Sequence, residues 1–210
     1  MAGRPREFDR EVALEAAMLL FWRKGFAGAS MNDLCEVMGV RSPSLYAAFD
    51  SKEALYLAAF QHYAATEGQA VWDKLAEGAT ARAGVENLLI KAADTLPKSR
   101  TAPAGCMVAL GAISDEWPAA IAREVRKVRL ELLDNLRARL EAAVASGELP
   151  DATDVDALSR FYLGVFQGMA VQAKDGATQA ELRGAAKAAM AAWPGEARGR
   201  PEPVSTAPRP

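Results

Sequence analysis

The sequence predicts an all-α fold of about nine helices, and three observations support that prediction. Apolar residues recur at the helical period in each candidate segment, and no segment alternates with period two as a strand would. Helix starts are marked by Ser, Thr or Asp and helix ends by Gly or Pro. The chain is predicted to have a three-helix N-terminal part joined to a larger helical part.

Residues 30–49, SMNDLCEVMGVRSPSLYAAF, are predicted to form two short helices joined by a tight turn. Ser30 is a good N-cap for the first helix, and Asp33 follows three positions later as in a partial capping box. Gly39 stands where left-handed geometry ends a helix. Ser42 is the candidate N-cap of the second helix. Small exposed residues on that helix would let it enter the ~12 Å major groove of DNA.

Composition bounds what the rest of the chain can be. The 210 residues carry a formal net charge of −2 and include two cysteines, Cys35 and Cys106, and one histidine, His62. This inventory argues against a disulfide framework, a metal site, a cofactor and a catalytic triad, so no catalytic residue is assigned. An apolar run of membrane-spanning length and a signal peptide are also absent, which predicts a cytoplasmic protein without membrane contact.

The chain is predicted to have four parts. Residues 1–8 form a flexible basic arm, and residues 9–52 form the domain that holds the helix-turn-helix. Residues 53–193 form a helical effector-binding and dimerisation domain. Residues 194–210 contain many prolines and little apolar bulk, which is typical of a disordered tail.

The N-terminal part resembles the DNA-binding domain of the TetR/AcrR family of bacterial repressors. The resemblance extends from about Phe8 to Tyr63 and rests on the following residues: Ala16, Ala17, Leu20, Phe21, Gly25, Phe26, the run Ser44-Leu45-Tyr46-Ala47-Ala48-Phe49 and the run Ser51-Lys52-Glu53-Ala54-Leu55. It implies a homodimeric regulator, most often a repressor, that binds a palindromic double-stranded operator and responds to a small molecule.

The residues expected to contact DNA follow from this resemblance and from their chemistry. Ser30, Ser42, Tyr46 and Lys52 match positions that hold phosphates, and hydroxyl and ammonium groups at helix starts suit phosphate oxygens. An alternative for Tyr46 is a half-buried core ring. Base contacts are expected from Arg41, Ser42, Pro43, Ser44 and Ala47, and a minor-groove contact from Arg4 and Arg6 in the arm.

A dimer interface is predicted on the last two long helices. The first of these is apolar on nearly all sides, so it must be buried by its own domain or by a partner. In proteins that the chain resembles, these helices form a four-helix interface. The residues predicted to form it are Phe161, Gly164, Val165, Gly168, Ala185 and Ala189; burial in the core of one subunit is the alternative.

A ligand cavity is implied by the resemblance, and the apolar lining favours an apolar or aromatic effector. The candidate lining residues are Trp72, Cys106, Met107, Leu110, Trp117, Phe161 and Met169. Cys106 follows Gly105 at a predicted helix start, where the helix dipole would lower the pKa of the thiol. One alternative is therefore a regulator that senses electrophiles or oxidants through Cys106. A separate alternative is a helical DNA-binding protein without an effector.

Overall fold

The computed structural model describes residues 9–99, 101–111 and 117–195, and these residues form helices and connections without a strand. The predicted all-α fold is confirmed. The predicted arm with Arg4 and Arg6, and residues 196–210 of the predicted tail, lie outside the described residues. The helices are α1 (Arg10–Gly28), α2 (Met31–Met38), α3 (Ser42–Phe49), α4 (Lys52–Tyr63), α5 (Gln69–Trp72), α6 (Lys74–Glu77), α7 (Ala81–Thr95), α8 (Met107–Leu110), α9 (Ala119–Ala145), α10 (Val155–Lys174) and α11 (Gln179–Met190).

Helix α1 begins at its predicted cap and is broken near its end. The side chain of Asp9 accepts the N–H of Glu11 at 3.0 Å, which satisfies a donor of the first turn. The helix was expected to end at Gly25. Instead Gly25 interrupts it with φ 71° and ψ 176°, after which one further turn continues to Gly28. The break lets Phe26 turn back onto the first turns of α4, where its ring lies 5.6 Å from that of Tyr56.

A single helical rod joins the N-terminal part to the rest of the molecule. Helix α4 is followed without a loop by a π-helical turn at Ala64–Gly68 and then by α5 and α6. The backbone stays right-handed helical at Gly68, Gln69 and Asp73, where these segments meet. The predicted long fourth helix is therefore present, and the wide turn in its middle is an addition to the prediction.

In the larger part, α7 and α9 pack on the rod, α10 packs on α9 and α7, and α11 packs on α7 and α10. One apolar core runs from Ala17 in α1 to Leu182 in α11, so the two parts share a continuous interior. A long-range contact fixes the start of α7, where the Glu148 carboxylate accepts the N–H groups of Ala81 at 2.7 Å and Arg82 at 2.9 Å. This contact supplies acceptors that a helix start otherwise lacks.

In the part of the chain that the structure describes, no helix combines the length and the apolar character that a membrane span requires. The same residues also hold no group of three or more His, Cys, Asp or Glu side chains arranged to bind a metal ion.

Candidate functional site

The start of α2 is held by a complete capping box. The Asp33 N–H donates to Ser30 Oγ at 3.0 Å, and the Ser30 N–H donates to Asp33 Oδ2 at 3.0 Å. The box was expected to be partial because Asp is short, yet its carboxylate reaches the backbone. The Lys24 ammonium donates to the same oxygen, and these bonds lower the pKa of Asp33 to about 2, the Ser30 N–H contributing most.

Helix α3 begins one residue earlier than expected. Arg41 is the N-cap residue, Ser42 is the first helical residue and Pro43 the second. The expectation that Ser42 is the N-cap is therefore wrong, because the chain enters helical geometry at Ser42 already. No side chain caps this start, in contrast to α1 and α2. Its exposed first turn is available to an anion such as a DNA phosphate.

The predicted DNA-contacting residues of α3 lie on one exposed surface. Leu45 and Phe49 are buried beneath the helix, whereas Arg41, Ser42, Pro43, Ser44, Tyr46 and Ala47 are all exposed. Tyr46 is 45% exposed, so about half of the residue is covered by the protein and the rest lies on this surface. The turn before α3 is fixed by Gly39, whose φ of 65° is left-handed as predicted.

Lys52 lies beside this surface at the start of α4. Its ammonium stands 4.5 Å from the centre of the Phe26 ring, a cation–π contact, and burial lowers the pKa of the amine. Ser51 caps the helix by accepting the Ala54 N–H at 3.0 Å. The contact with the ring thus orients the Lys52 side chain.

A cavity of about 700 Å³ lies between the rod and α9. The π-helical turn, α5 and α6 form one wall, α9 forms the opposite wall, and the segment that includes Gly105 and Cys106 closes one end. Five aromatic residues contribute to the lining: Trp22, Phe60, Tyr63, Trp72 and Phe166. Carboxylates also line it at Glu67, Asp73, Glu124 and Glu131, together with the guanidinium of Arg139.

Of the seven residues predicted to bind a ligand, Trp72 and Cys106 line this cavity. The other five lie outside its lining. Met107 and Met169 are buried in the core, and Leu110 packs its side chain close to Gly105. Trp117 packs against Tyr56 at 5.5 Å, and exposed Phe161 lines a separate groove with Leu158 and Pro194. The sequence placed these residues on apolar helix faces but could not show which face meets the cavity.

The pKa of Cys106 departs from expectation. The thiol is buried, and this burial raises its pKa, while the neighbouring Tyr63 hydroxyl opposes the rise as a smaller effect. The prediction of a thiol pKa lowered by a helix dipole is wrong, because α8 is a single turn and desolvation outweighs it. Cys106 is protonated in the folded protein at neutral pH.

Trp22 is a cavity residue that the sequence did not reveal. It lies on α1, is 8% exposed, and its Nε1–H has no hydrogen-bond partner among the residues that the structure describes. Its ring packs edge-on against Tyr63 at 4.8 Å, which fixes its orientation. In the sequence, a Trp next to Phe21 in an apolar helix looks like an ordinary core residue, and only the tertiary arrangement brings it into the cavity lining.

The residues predicted for the dimer interface divide into two groups. Phe161 and Gly164 are exposed, and Val165, Gly168 and Ala185 are partly exposed. A Cβ built on Gly164 or Gly168 would meet no other atom within 4 Å, so this face of α10 is open. Ala189 is different: it is buried within the subunit, and its carbonyl accepts the Tyr162 hydroxyl at 3.4 Å. Its side chain is therefore not available to a partner.

Comparisons with known proteins cover both parts of the chain. Residues 13–59 match the family of bacterial regulatory proteins described as tetR, and residues 84–189 match the tetracyclin repressor-like C-terminal domain. The HTH-type transcriptional repressor ComR of Escherichia coli (strain K12) is 32% identical over 201 residues, which is 91% of this chain and 92% of ComR. The repressor BdcR of the same organism is 37% identical over 109 residues, which is 52% of this chain and 55% of BdcR.

A solved structure matches over nearly the same length. It is a cysteine mutant of the TetR family transcriptional regulator CifR in complex with a 26bp double-strand operator DNA. The two chains superpose with a TM-score of 0.85 and 39% sequence identity, covering 91% of this chain and 100% of that chain. The similarity thus includes the rod and the helices that enclose the cavity.

Proposed function

Since the chain belongs to the tetR family of bacterial transcriptional regulators, we propose that it is a homodimeric repressor that binds a palindromic operator and releases it when a small apolar molecule binds. The observation that carries this proposal is the uncapped, exposed start of α3 above buried Leu45 and Phe49. Repression is supported by ComR and BdcR, which are both repressors. The protein would act in the cytoplasm, where bacterial operators are found.

The DNA contacts divide by chemistry. Ser30, Ser42, Tyr46 and Lys52 would hold phosphates, because the first two present hydroxyls and Lys52 an ammonium at the start of a helix, and Tyr46 presents a phenol on the exposed side of α3. Base contacts would come from the exposed residues Arg41, Ser42, Pro43, Ser44 and Ala47. Among these residues, Arg41 would contribute most to base recognition, since a guanidinium can form two hydrogen bonds with guanine in the major groove. The operator complex of CifR supports this use of the same fold.

Dimerisation would use the open face of α10 together with α11. Phe161 and Val171 are large apolar residues exposed on α10, and Gly164 lies between them with space above its backbone. Such a face favours close approach of a second helix. A two-fold dimer would place two α3 helices on half-sites about one or two DNA turns apart, which is why a palindrome is expected. We propose the domain boundary within the rod, with residues 9–52 forming the DNA-binding domain.

The effector would occupy the cavity between the rod and α9. Its volume of about 700 Å³ falls within the roughly 300–1,000 Å³ typical of small-molecule sites, and aromatic rings form much of its wall. The rod connects this wall directly to the domain that holds α3, so a molecule in the cavity is in a position to change the separation of the two α3 helices. A DNA-binding protein without an effector would have no use for such a cavity.

One observation favours a second candidate function, in which electrophiles or oxidants act on Cys106. That observation is the position of Cys106 in the cavity lining. The raised pKa of the thiol argues against it, because the thiolate is the reactive form. We therefore rank reversible binding of an apolar molecule first.

Selection of bound DNA from a random pool tests the proposal. The full chain should recover a palindrome whose half-sites are spaced by whole helical turns, and binding should weaken steeply with salt. Recovery of single half-sites or of sequences without a common motif would contradict a dimer that recognises a palindromic operator. Apolar molecules should raise the melting temperature of the free protein and release the selected DNA. Release without any such stabilisation would contradict an effector in the cavity.

A further inference from the structure

Lys52 takes its position from a residue of a different helix. Its ammonium stands 4.5 Å from the centre of the Phe26 ring, and Phe26 lies in the last turn of α1, beyond the break at Gly25. A free lysine side chain has many rotamers, and ordering them costs free energy when a contact forms. The contact with the ring restricts those rotamers in the free protein. How readily Lys52 meets a DNA phosphate therefore depends on where Phe26 lies.

Two further rings hold Phe26 in place. Tyr56 of α4 meets it edge-on, with ring centroids 5.6 Å apart at 89°, and Trp117 lies 6.1 Å away at 34°. Tyr56 and Trp117 also contact each other at 5.5 Å and 66°. All three separations fall in the range of stabilising aromatic pairs. Each ring of this aromatic cluster, Phe26, Tyr56 and Trp117, contacts the other two, so a shift of one ring disturbs both neighbours.

The aromatic cluster joins three parts of the molecule. Phe26 belongs to the DNA-binding domain, Tyr56 to the rod, and Trp117 stands two residues before the first residue of α9. Helix α9 forms the cavity wall opposite the rod. Because Trp117 is so close to the start of this helix, a shift of α9 relative to α4 would displace the Trp117 ring from Phe26.

A second link between the larger part and α1 is weaker. Lys174 Nζ, at the end of α10, donates to the Arg23 carbonyl at 3.5 Å, and this contact is exposed. A single long hydrogen bond at the surface contributes little, because water competes for both groups. Trp117 is therefore the better candidate for carrying the position of the larger part to the phosphate contact.

We propose that Trp117 is a positioning residue for Lys52: it holds the Phe26 ring beneath the Lys52 ammonium, so the position of α9 sets how well that ammonium is oriented toward a DNA phosphate. This inference rests on the proposed function, because it concerns the phosphate contact assigned to Lys52. It gives the far wall of the cavity its own route to the DNA-binding surface. That route passes through side chains, in addition to the continuous backbone of the rod.

A double-mutant cycle on the full chain tests the proposal. Trp117→Ala, Lys52→Ala and the double variant are compared with the unmodified protein by fluorescence anisotropy, on the selected operator and on a duplex of unrelated sequence. Trp117→Ala should weaken binding to both duplexes about 2- to 10-fold for each Lys52 contact, the range for ordering one long side chain. In the Lys52→Ala background it should have almost no effect, since no ammonium is left to orient.

Two further variants sharpen the comparison. Trp117→Phe keeps a ring at this position and should bind DNA like the unmodified protein. Lys174→Ala is the matched control, because it removes the other link to α1. Its effect on affinity should simply add to that of Lys52→Ala.

The outcomes separate this inference from the function on which it rests. An equal loss from Trp117→Ala with and without Lys52 overturns the inference alone, since Trp117 would then only support the fold, and so does unchanged affinity of Trp117→Ala. If Lys52→Ala binds both duplexes as the unmodified protein does, the proposed phosphate contact is wrong and the inference fails with it. Thermal melting checks each variant. If Trp117→Ala is unfolded at the assay temperature, Trp117→Leu completes the same cycle with an apolar side chain that lacks a ring.

Discussion

The Lys24 ammonium and the Asp33 carboxylate form an ion pair of 3.0 Å that ties the end of α1 to the start of α2. The same carboxylate oxygen accepts the Ser30 N–H, so one side chain both caps α2 and fixes its position against α1. The pose of the helix-turn-helix therefore depends on the charge of Asp33.

Asp33→Asn should destabilise the protein at neutral pH, and the difference from the unmodified protein should vanish in acid. The folded-state pKa of Asp33 is lowered from 3.8 to about 2. A lowered carboxyl pKa gives stability that is complete above the unfolded value and is lost as the pH falls toward the folded value. Urea unfolding of both proteins at a series of pH values measures this. Asp151→Asn, in the connection between α9 and α10, is the control, and a pH-independent difference would contradict the prediction.

Arg41→Ala should relax sequence preference at one position of each half-site. Arg41 is exposed at the start of α3, and a bidentate contact to guanine contributes about 1–3 kcal/mol of discrimination, roughly 5- to 150-fold. Competition binding with operator variants that differ at single base pairs measures this loss. Equal loss of affinity for every sequence would show that Arg41 contacts phosphate instead.

Lys52→Ala should weaken binding to all DNA sequences and reduce the salt dependence of binding by about one unit of slope for each lost phosphate contact. Tyr46→Phe should also weaken all sequences but leave the slope unchanged, because a hydroxyl releases no counterion. Fluorescence anisotropy across a salt series distinguishes the two. Lys98→Ala, in the loop that follows α7, is the control. Unchanged affinity of the Lys52 and Tyr46 variants would contradict their assignment to phosphates.

Gly164→Leu should convert the protein to monomers without destabilising the subunit. A Cβ at this position meets no atom within 4 Å in the subunit, and Leu is favoured over Gly inside a helix by about 0.8 kcal/mol. The added side chain would block close approach of a second α10. Sedimentation velocity measures the mass, and thermal melting checks the fold.

Glutamate substitutions provide a matched test of the same face. Phe161 and Val171 on α10 are 43% and 46% exposed, and Leu130 on α9 is 43% exposed. Phe161→Glu and Val171→Glu should dissociate the dimer and lower operator affinity, whereas Leu130→Glu should change neither. Dissociation by Leu130→Glu alone would move the interface to α9.

Iodoacetamide should modify Cys35 before Cys106 in the folded protein. Cys35 is partly exposed, whereas Cys106 is buried and burial raises its pKa. Peptide mapping by mass spectrometry measures both rates, and addition of denaturant should make them similar. Faster reaction at Cys106, together with loss of operator release in Cys106→Ser but not in Cys35→Ser, would instead establish Cys106 as a sensor.

The helix-turn-helix could be predicted because its signals are local in the sequence. Most of the cavity lining could not, because it depends on contacts between residues far apart along the chain. Ser30, Gly39 and Thr178 act on residues within four positions, so their roles follow from the sequence alone. By contrast, Glu148 caps α7 from 67 residues away along the chain. Trp22 gives no local sign that it lines a cavity built largely from other helices. The burial of Ala189 is likewise decided by how α11 packs on α10.

The π-helical turn lies between these two cases, because the sequence does mark it. The buried stripe of α4 includes Ala59 and Tyr63, and an unbroken α-helix would next bury residues 67, 70 and 74. Position 74 is Lys74, while the structure buries Val71 and Leu75, each one residue late. The spacing of the apolar residues is therefore one residue longer here than in a regular α-helix. A search for helical periodicity finds a helix on both sides of this point but does not identify the extra residue.

That extra residue divides the rod into two segments with different rotational phase. One extra residue corresponds to about 100° of rotation and about 1.5 Å of rise along an α-helix. One face of α4 packs on α1, and one face of α5–α6 lines the cavity. Because of the extra residue, these two faces point in directions that differ from those in a regular α-helix of the same length. The π-helical turn itself lies in the cavity wall. The change of rotational phase in the rod therefore occurs at the place where the effector would bind.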